Sequence, residues 1–369
     1  MNFGIITFHR AVNYGAVLQT YALQKALRNL NIDSEVIDYR DNIIDNRFKF
    51  FYDKSLKKLV KDFIYFPIFY RKNKKFEEFI ESNIVTTKKI IRNCDELNQL
   101  KEFDQYITGS DQVWNYRLTN WDKAYFLDFV KDNKKKNSYA ASFGMNEIPK
   151  KEQEKYKSLL SQFNHISVRE ENGIEIIHKL INKDIDVDVD VDVDPTLLLK
   201  KEDWIEIAKE PKEKDYILIF VMQKNESTFK FAEKLAQKTN CEIIYIADSI
   251  KRRVNGKYKY TLSPTEWLGY FLNAKYIVTN SFHGLAFSIN LNKDFFVELQ
   301  RPPATGNSRL ENMLDLLNLR DRQIIDADNN NIDKEINWKE VNRILDKKRT
   351  ESFDNLRSVY LRSEKNKYE

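Results

Sequence analysis

Phe3 to Phe8 is a short, mainly apolar run, the pattern of a buried strand. A polar turn, "HRAVNYG", follows, and then Val17, Leu18, Tyr21, Ala22, Leu27 and Leu30 recur at helical spacing. "SEVIDY" reads as a second strand. This strand–helix–strand opening predicts a parallel sheet. Strand patterns return in "FDQYIT", "SYAAS" and "HISVRE", with helical "KEQEKYKSLLSQF" and "NGIEIIHKLI" around the last of them. A second set begins after residue 200: strands in "YILIFVM", "CEIIYIA", "KYIVTN" and "DFFVEL", helices in "STFKFAEKLAQK", "SPTEWLGYFLNA" and "FHGLAFSINL". Ser263, Pro264 and Glu266 give the helix over "SPTEWLGYFLNA" a capped start with a capping box.

Between the two sets lies "KDIDVDVDVDVDPTLLL", in which Asp184, Asp186, Asp188, Asp190, Asp192 and Asp194 alternate with branched apolar residues. Strict alternation is a strand signal, but one face would carry aspartates about 7 Å apart. Each neighbouring pair repels by about 0.6 kcal/mol in water, so a buried central strand is excluded. A calcium loop would curl its oxygens around the ion and use glycine to turn, and this stretch has none. The reading adopted is a low-complexity insertion in a connector, with an ordinary edge strand and a metal site as the alternatives.

The predicted organisation is thus α/β with two domains: residues 1–183, an acidic linker over 184–200, residues 201–333, and a charged helical tail over 334–369. Within the first domain, about 48–83 mixes aromatic residues with lysines and arginines and reads as mainly helix with a break near Pro67. That composition suits either helices packed on the first domain or a peripheral contact with an anionic membrane surface.

The length of 369 residues agrees with two domains. Both charge signs are mixed and the net charge is only +5, which gives no footprint for nucleic acid. Two cysteines, Cys94 and Cys241, argue against a disulfide framework and for a reducing, cytoplasmic setting. The N-terminal apolar run is too short for a signal peptide, and no run is long enough to span a membrane.

In open parallel sheets, ligands bind beyond the carboxyl ends of strands. Here those ends carry His9, Arg10 and Asn13; Gly109, Ser110, Asp111 and Gln112; Ser142 and Gly144; Arg169 and Glu170; and Asn280, Ser281 and His283. Polar tips on two sheets suggest a cleft between the domains. Asn280 or Ser281 can cap the helix of His283, whose first N–H groups would then suit an anion. Arg309 lies in "GNSRLENMLDLL", where Ser308 and Glu311 fit a capping box; a cation in a first helical turn makes sense beside an anionic ligand. Neither a G-x-G-x-x-G pattern nor a Walker loop is present, which disfavours dinucleotide and P-loop chemistry.

Together, "ITFHRAVNYGAVLQTYAL", "ITGSDQVWN", "SYAASFG", "ISVRE", "DPTLLL" and "EWLGYFLNAKYIVTNSFHGLAFSI" resemble the polysaccharide pyruvyl transferase family, in that family's order. The resemblance implies two Rossmann-like domains in a GT-B-type arrangement. It implies phosphoenolpyruvate as co-substrate, no further cofactor, no metal, and a glycan or lipid-linked oligosaccharide as acceptor for a pyruvate ketal. The repeated V-D units before Asp194 depart from the family pattern. His283, Asp111 and Arg169 are then the catalytic candidates: Arg169 for a bidentate anion contact, His283 to bind phosphate or transfer a proton, Asp111 as base toward a sugar hydroxyl. Each has a plainer reading, as an ion-paired arginine, a structural histidine and a turn cap. Asn13, Gly15, Ser142, Asn280, Ser281 and Arg309 are donor-binding candidates, and His9, Ser110 and Gln112 lie on the acceptor side. His165 and His178 read as structural. The competing functions are a GT-B-type glycosyltransferase using a nucleotide sugar and a catalytically silent glycan-binding protein.

Overall fold

The structure is a computed structural model and describes residues 1–40, 56–181, 188–301, 307–325 and 331–365. Two compact units emerge. One takes Met1–Tyr52, Ile80–Leu198 and Lys347–Glu369; the other takes Asp53–Phe79 and Leu199–Asp346.

In the first unit, β1 (Asn2–Ile6), β2 (Asp33–Val36), β3 (Gln105–Thr108), β4 (Lys136–Ser138), β5 (His165–Val168) and β6 (Asp188–Val191) form one parallel sheet in the order β2-β1-β3-β4-β5-β6. Helix α1 (Tyr14–Asn29) links β1 to β2 and is buried over nearly its whole length, its polar residues Gln19, Thr20 and Gln24 included. Strand β4 ends at Ser138, before most of the predicted "SYAAS" strand. Ala140 turns into the left-handed region at φ 46°, and Ala141 keeps only isolated bridges to Asp111 and Val168. Trp114, Phe126, Phe143 and Tyr156 pack ring against ring in the core of this unit.

The alternating V-D run is not a connector between units, which corrects the linker expectation. Its described part is the edge strand β6, paired in parallel register with β5 (His165 with Asp188, Ser167 with Asp190), and the units divide after Leu198. The physical reason is that from Asp190 onward the aspartates have partners on β5 and just beyond it. His165 Nε2 lies 2.8 Å from Asp190 Oδ2, Ser167 Oγ donates to Asp192, and Arg169 Nη1 donates to Asp194 at 2.8 Å. Alternate residues from His165 to Arg169 thus meet successive aspartates, each one aspartate further along than its register partner. Asp184 and Asp186 lie outside the described residues.

The basic aromatic segment also differs from expectation. Helix α2 (Leu56–Asn83) runs through Pro67 without a break, and its residues up to Phe79 belong to the second unit rather than the first. Tyr65 Oη accepts from Ile250 N at 3.2 Å, Lys75 pairs with Glu266 at 2.6 Å, and Phe76 and Phe79 are buried. Phe66 and Tyr70 stack on each other and stay exposed. Residues 48–55 lie outside the description. Two further helices, α3 (Lys150–Leu160) and α4 (Glu171–Leu180), complete the first unit's crossovers.

The second unit holds β7 (Tyr216–Phe220), α5 (Glu226–Thr239), β8 (Glu242–Ile246), β9 (Lys257–Lys259), α6 (Pro264–Asn273), β10 (Tyr276–Thr279), α7 (Phe282–Asn290) and β11 (Asp294–Val297), followed by α8 (Asn307–Leu316). Its parallel sheet has the order β11-β10-β7-β8-β9. The predicted capping box of α6 is present: Ser263 Oγ accepts from Glu266 N, and Glu266 accepts from Ser263 N. Helix α8 starts at Asn307, so Ser308 lies inside it rather than capping it.

The expected C-terminal tail is α9 (Trp338–Lys365), and from Lys347 it belongs to the first unit. There Arg349 Nε donates to Leu197 O at 2.6 Å, Val193 N donates to Ser352 Oγ at 3.0 Å, and Asn355 Nδ2 donates to Asp192 at 3.1 Å. The tail is therefore a covering helix for the segment that follows β6.

Candidate functional site

The first unit gathers a polar network at the carboxyl ends of its strands. After β3, Gly109 has φ 114°, and a Cβ there would meet Tyr139 O at 2.4 Å, so glycine is required. Asp111 follows with φ 74°, a conformation unfavourable for a residue with a Cβ and one that clusters at functional sites. Its Oδ1 accepts from Gln112 N at 2.8 Å, and the residue remains half-buried. Arg169, just past β5, lies 2.8 Å from Asp194, 3.7 Å from Glu170 and 3.9 Å from Asp111. Burial opposes its charge, but these acids hold its pKa above the ordinary arginine value. Glu170 accepts from Ser142 Oγ at 2.5 Å, and Ser142 Oγ accepts from Gly144 N. One guanidinium thus serves three carboxylates, and the network as a whole is acidic.

This arrangement is the ion-paired setting that the plainer reading of Arg169 describes. Its side chain is 1% exposed and lies against three acids, where it organises carboxylates. Ser142 is fully enclosed as well. Ser110 donates to Ala140 O at 2.8 Å and lies 3.4 Å from Asp194; it too is buried. Gln112 accepts from Asn115 Nδ2 and stays half-buried. Asn13 caps α1, accepting from Gly15 N and Ala16 N, which also accounts for Gly15. Of the first unit's predicted site residues, Asp111 and Gln112 combine a strand-end position with exposure.

A second cluster lies where β1 and β2 end side by side. Asp38 accepts from Arg10 Nε and Nη2 at 2.9 and 2.6 Å, and from Arg40 Nε and Nη2, both at 3.3 Å. The His9 ring sits between Thr7 O and Asp38 Oδ1, each 3.2 Å away, and is wholly buried. His9 therefore braces Asp38 from a buried position. Burial pushes the Asp38 carboxyl up, but hydrogen bonds from His9, Arg10 and Arg40 outweigh it and hold the group well below the usual carboxylate range. Asp38 and Arg40 were not singled out from sequence, although "SEVIDYR" carries both beyond a predicted strand.

In the second unit, Asn280 is fully enclosed. Its Oδ1 accepts from Met222 N and Gln223 N, and its Nδ2 donates to Gln223 O, so it pins the loop after β7. Ser281 caps α7 by accepting from Gly284 N. His283 occupies the first turn of α7, which has no acidic residue. The Phe282 and His283 ring centroids are 5.2 Å apart, and the Arg309 guanidinium lies 5.6 Å above the Phe282 ring. Phe282 thus lies beside both His283 and Arg309 at the capped start of the helix beyond β10. Among the described residues, no three His, Cys, Asp or Glu side chains gather as a metal site.

Two parallel sheets, each flanked by helices and each carrying polar strand ends, define an α/β protein of Rossmann-like units. The chain matches the polysaccharide pyruvyl transferase family over residues 13–297 and belongs to that family. No curated protein matches it. Among solved structures it is similar to the Methanocaldococcus jannaschii UDP-GlcNAc 2-epimerase in complex with UDP-GlcNAc and UDP, at 14% identity and TM-score 0.53, covering 98% of this chain and 99% of that one. A UDP-N-acetylglucosamine 2-epimerase from Rickettsia bellii gives 10% identity and TM-score 0.50, covering 98% and 95%. At such identities the likeness shows the fold alone. Among the described residues, no helix is long and apolar enough to cross a membrane.

Proposed function

We propose that this protein transfers pyruvate from phosphoenolpyruvate to a pair of hydroxyls on a glycan, forming a pyruvate ketal. Membership of the family supports this reading. The observation that carries it is the grouping of His283 and Arg309 at the start of α7, a helix with no acid in its first turn. Helix N-terminal amides and an arginine suit a donor that bears both phosphate and carboxylate.

The chemistry divides among these residues. A proton goes to C3 of the enol, leaving an oxocarbenium-like C2. A glycan hydroxyl oxygen bonds to C2 and gives up its proton. The C2–O bond to phosphate then breaks with its electron pair leaving on phosphate. A second hydroxyl bonds to C2, loses its proton and closes the ketal ring. His283 is the proposed proton donor or phosphate ligand, and Arg309 the proposed anion ligand. Asp111, the half-buried acid in a strained backbone position, is the proposed base toward the hydroxyl. Arg169, Ser142 and Glu170 act behind it as positioning residues.

Incubating the protein with phosphoenolpyruvate and candidate glycans, and following the glycans by mass spectrometry, tests the reading. Ketal addition with stoichiometric phosphate release supports it; release of pyruvate and phosphate with unaltered glycan contradicts it.

A further inference from the structure

Arg10 and Arg40 belong to neighbouring strand ends, and both direct their Nε and Nη2 groups onto the single carboxylate of Asp38. Among the described residues, two cations face one anion here, which leaves the group with surplus positive charge. Each guanidinium also carries more N–H donors than Asp38 takes up. The arginine side chains are 15% and 27% exposed, whereas Asp38 is 4% exposed, so the buried acid is the base of the cluster and the cations face outward.

The backbone beneath them is fixed. Asp38 N donates to Thr87 Oγ1, Arg40 N donates to Ile91 O, and Ile91 N donates to Asp38 O. His9 closes the remaining side of Asp38. Two like charges held this close repel, and a second oxyanion between their outer edges would relieve that repulsion while accepting their remaining donors. The cluster is distinct from the acidic network around Arg169, where three acids surround one cation.

We infer that Arg10 and Arg40 form a preorganised oxyanion-binding pair that recognises a phosphate or carboxylate on the acceptor. The inference rests on the proposed reading of the protein as a transferase acting on a glycan. It adds that the acceptor is anionic, either through a phosphate linkage or through an acidic sugar.

The test uses the full chain carrying His283→Ala, so that an anion bound beyond β10 does not mask the one sought here. Inorganic phosphate and glucuronate are titrated separately by calorimetry at low salt. At least one is expected to bind, and adding Arg40→Gln is expected to weaken it about tenfold or more. Arg40 is the better target because its contacts with Asp38 are longer than those of Arg10. Arg40→Lys, which keeps charge but not the fork, is expected to weaken binding by a smaller factor, and an unchanged melting temperature in both variants excludes misfolding as the cause. Preference for phosphate assigns a phosphate-linked acceptor; preference for glucuronate assigns an acidic sugar. Binding of neither, or equal binding with and without Arg40→Gln, overturns the inference. Loss of phosphoenolpyruvate affinity on Arg40→Gln in the otherwise unaltered protein would put the pair on the donor and overturn it as well. The donor reading itself stands or falls separately, on the response of phosphoenolpyruvate binding to His283→Ala.

Discussion

Arg169 and Asp194 form an ion pair at 2.8 Å in which the side chains are 1% and 0% exposed. The pair joins the end of β5 to the end of the V-D run. Removing the cation leaves buried carboxylates without their counter-ion. Arg169→Met is expected to destabilise the protein by about 3–5 kcal/mol in urea unfolding. Adding Asp194→Asn should recover part of that loss, because the two residues share one network. A change below about 1 kcal/mol in Arg169→Met would show that the cage does not depend on its cation.

Asp192 gives a pH signature. Burial raises its pKa to about 6, against hydrogen bonds from Ser167, Ser352 and Asn355 that lower it. A carboxyl whose folded pKa lies above its unfolded value stabilises most when protonated. That contribution is present below about pH 4 and is lost as pH rises through about 6, a swing of about 3 kcal/mol. Asp192→Asn should flatten the stability profile across that window. An unaltered profile would exclude Asp192 as the titrating group.

The V-D run also marks the limit of what the sequence discloses. Alternation announced a strand, but repulsion among its aspartates argued for exposure, because the partners lie elsewhere in the chain. They were present in "HISVR", where His165, Ser167 and Arg169 repeat at the same two-residue spacing. Matching the two polar faces would have found the edge strand. Local signals fared better: the Ser263–Glu266 box and the Ser281 cap depend only on neighbouring residues. His283 and Arg309 were legible because each lies at the start of a helix. Arg40 was not, since its meaning depends on Asp38 and on the pairing of β2 with β1.

Up to Phe79, helix α2 is a packing element of the second unit. Phe76 is 2% exposed, and Lys75 is tied to Glu266 at the start of α6. Phe76→Ala should cost about 3–5 kcal/mol in chemical denaturation. Tyr70→Ala, at an exposed position, should cost far less. Equal effects would contradict the assigned packing face.

His283 distinguishes proton transfer from anion binding. As a general acid, its replacement by Ala should lower kcat more than it raises KM for phosphoenolpyruvate, and should remove one limb of the pH–rate profile. As a phosphate ligand alone, it should chiefly raise KM and leave the profile's shape intact. Unchanged values of both parameters would remove His283 from the site.

The central claim is ketal transfer from phosphoenolpyruvate, and the most direct measurement is the mass of the glycan product. After incubation with phosphoenolpyruvate, the acceptor should gain one pyruvate ketal and one phosphate should be released per ketal formed. The same assay with His283→Ala should give a strongly reduced yield. Glycans that stay unmodified with phosphoenolpyruvate but gain a sugar residue from a nucleotide sugar would contradict the account.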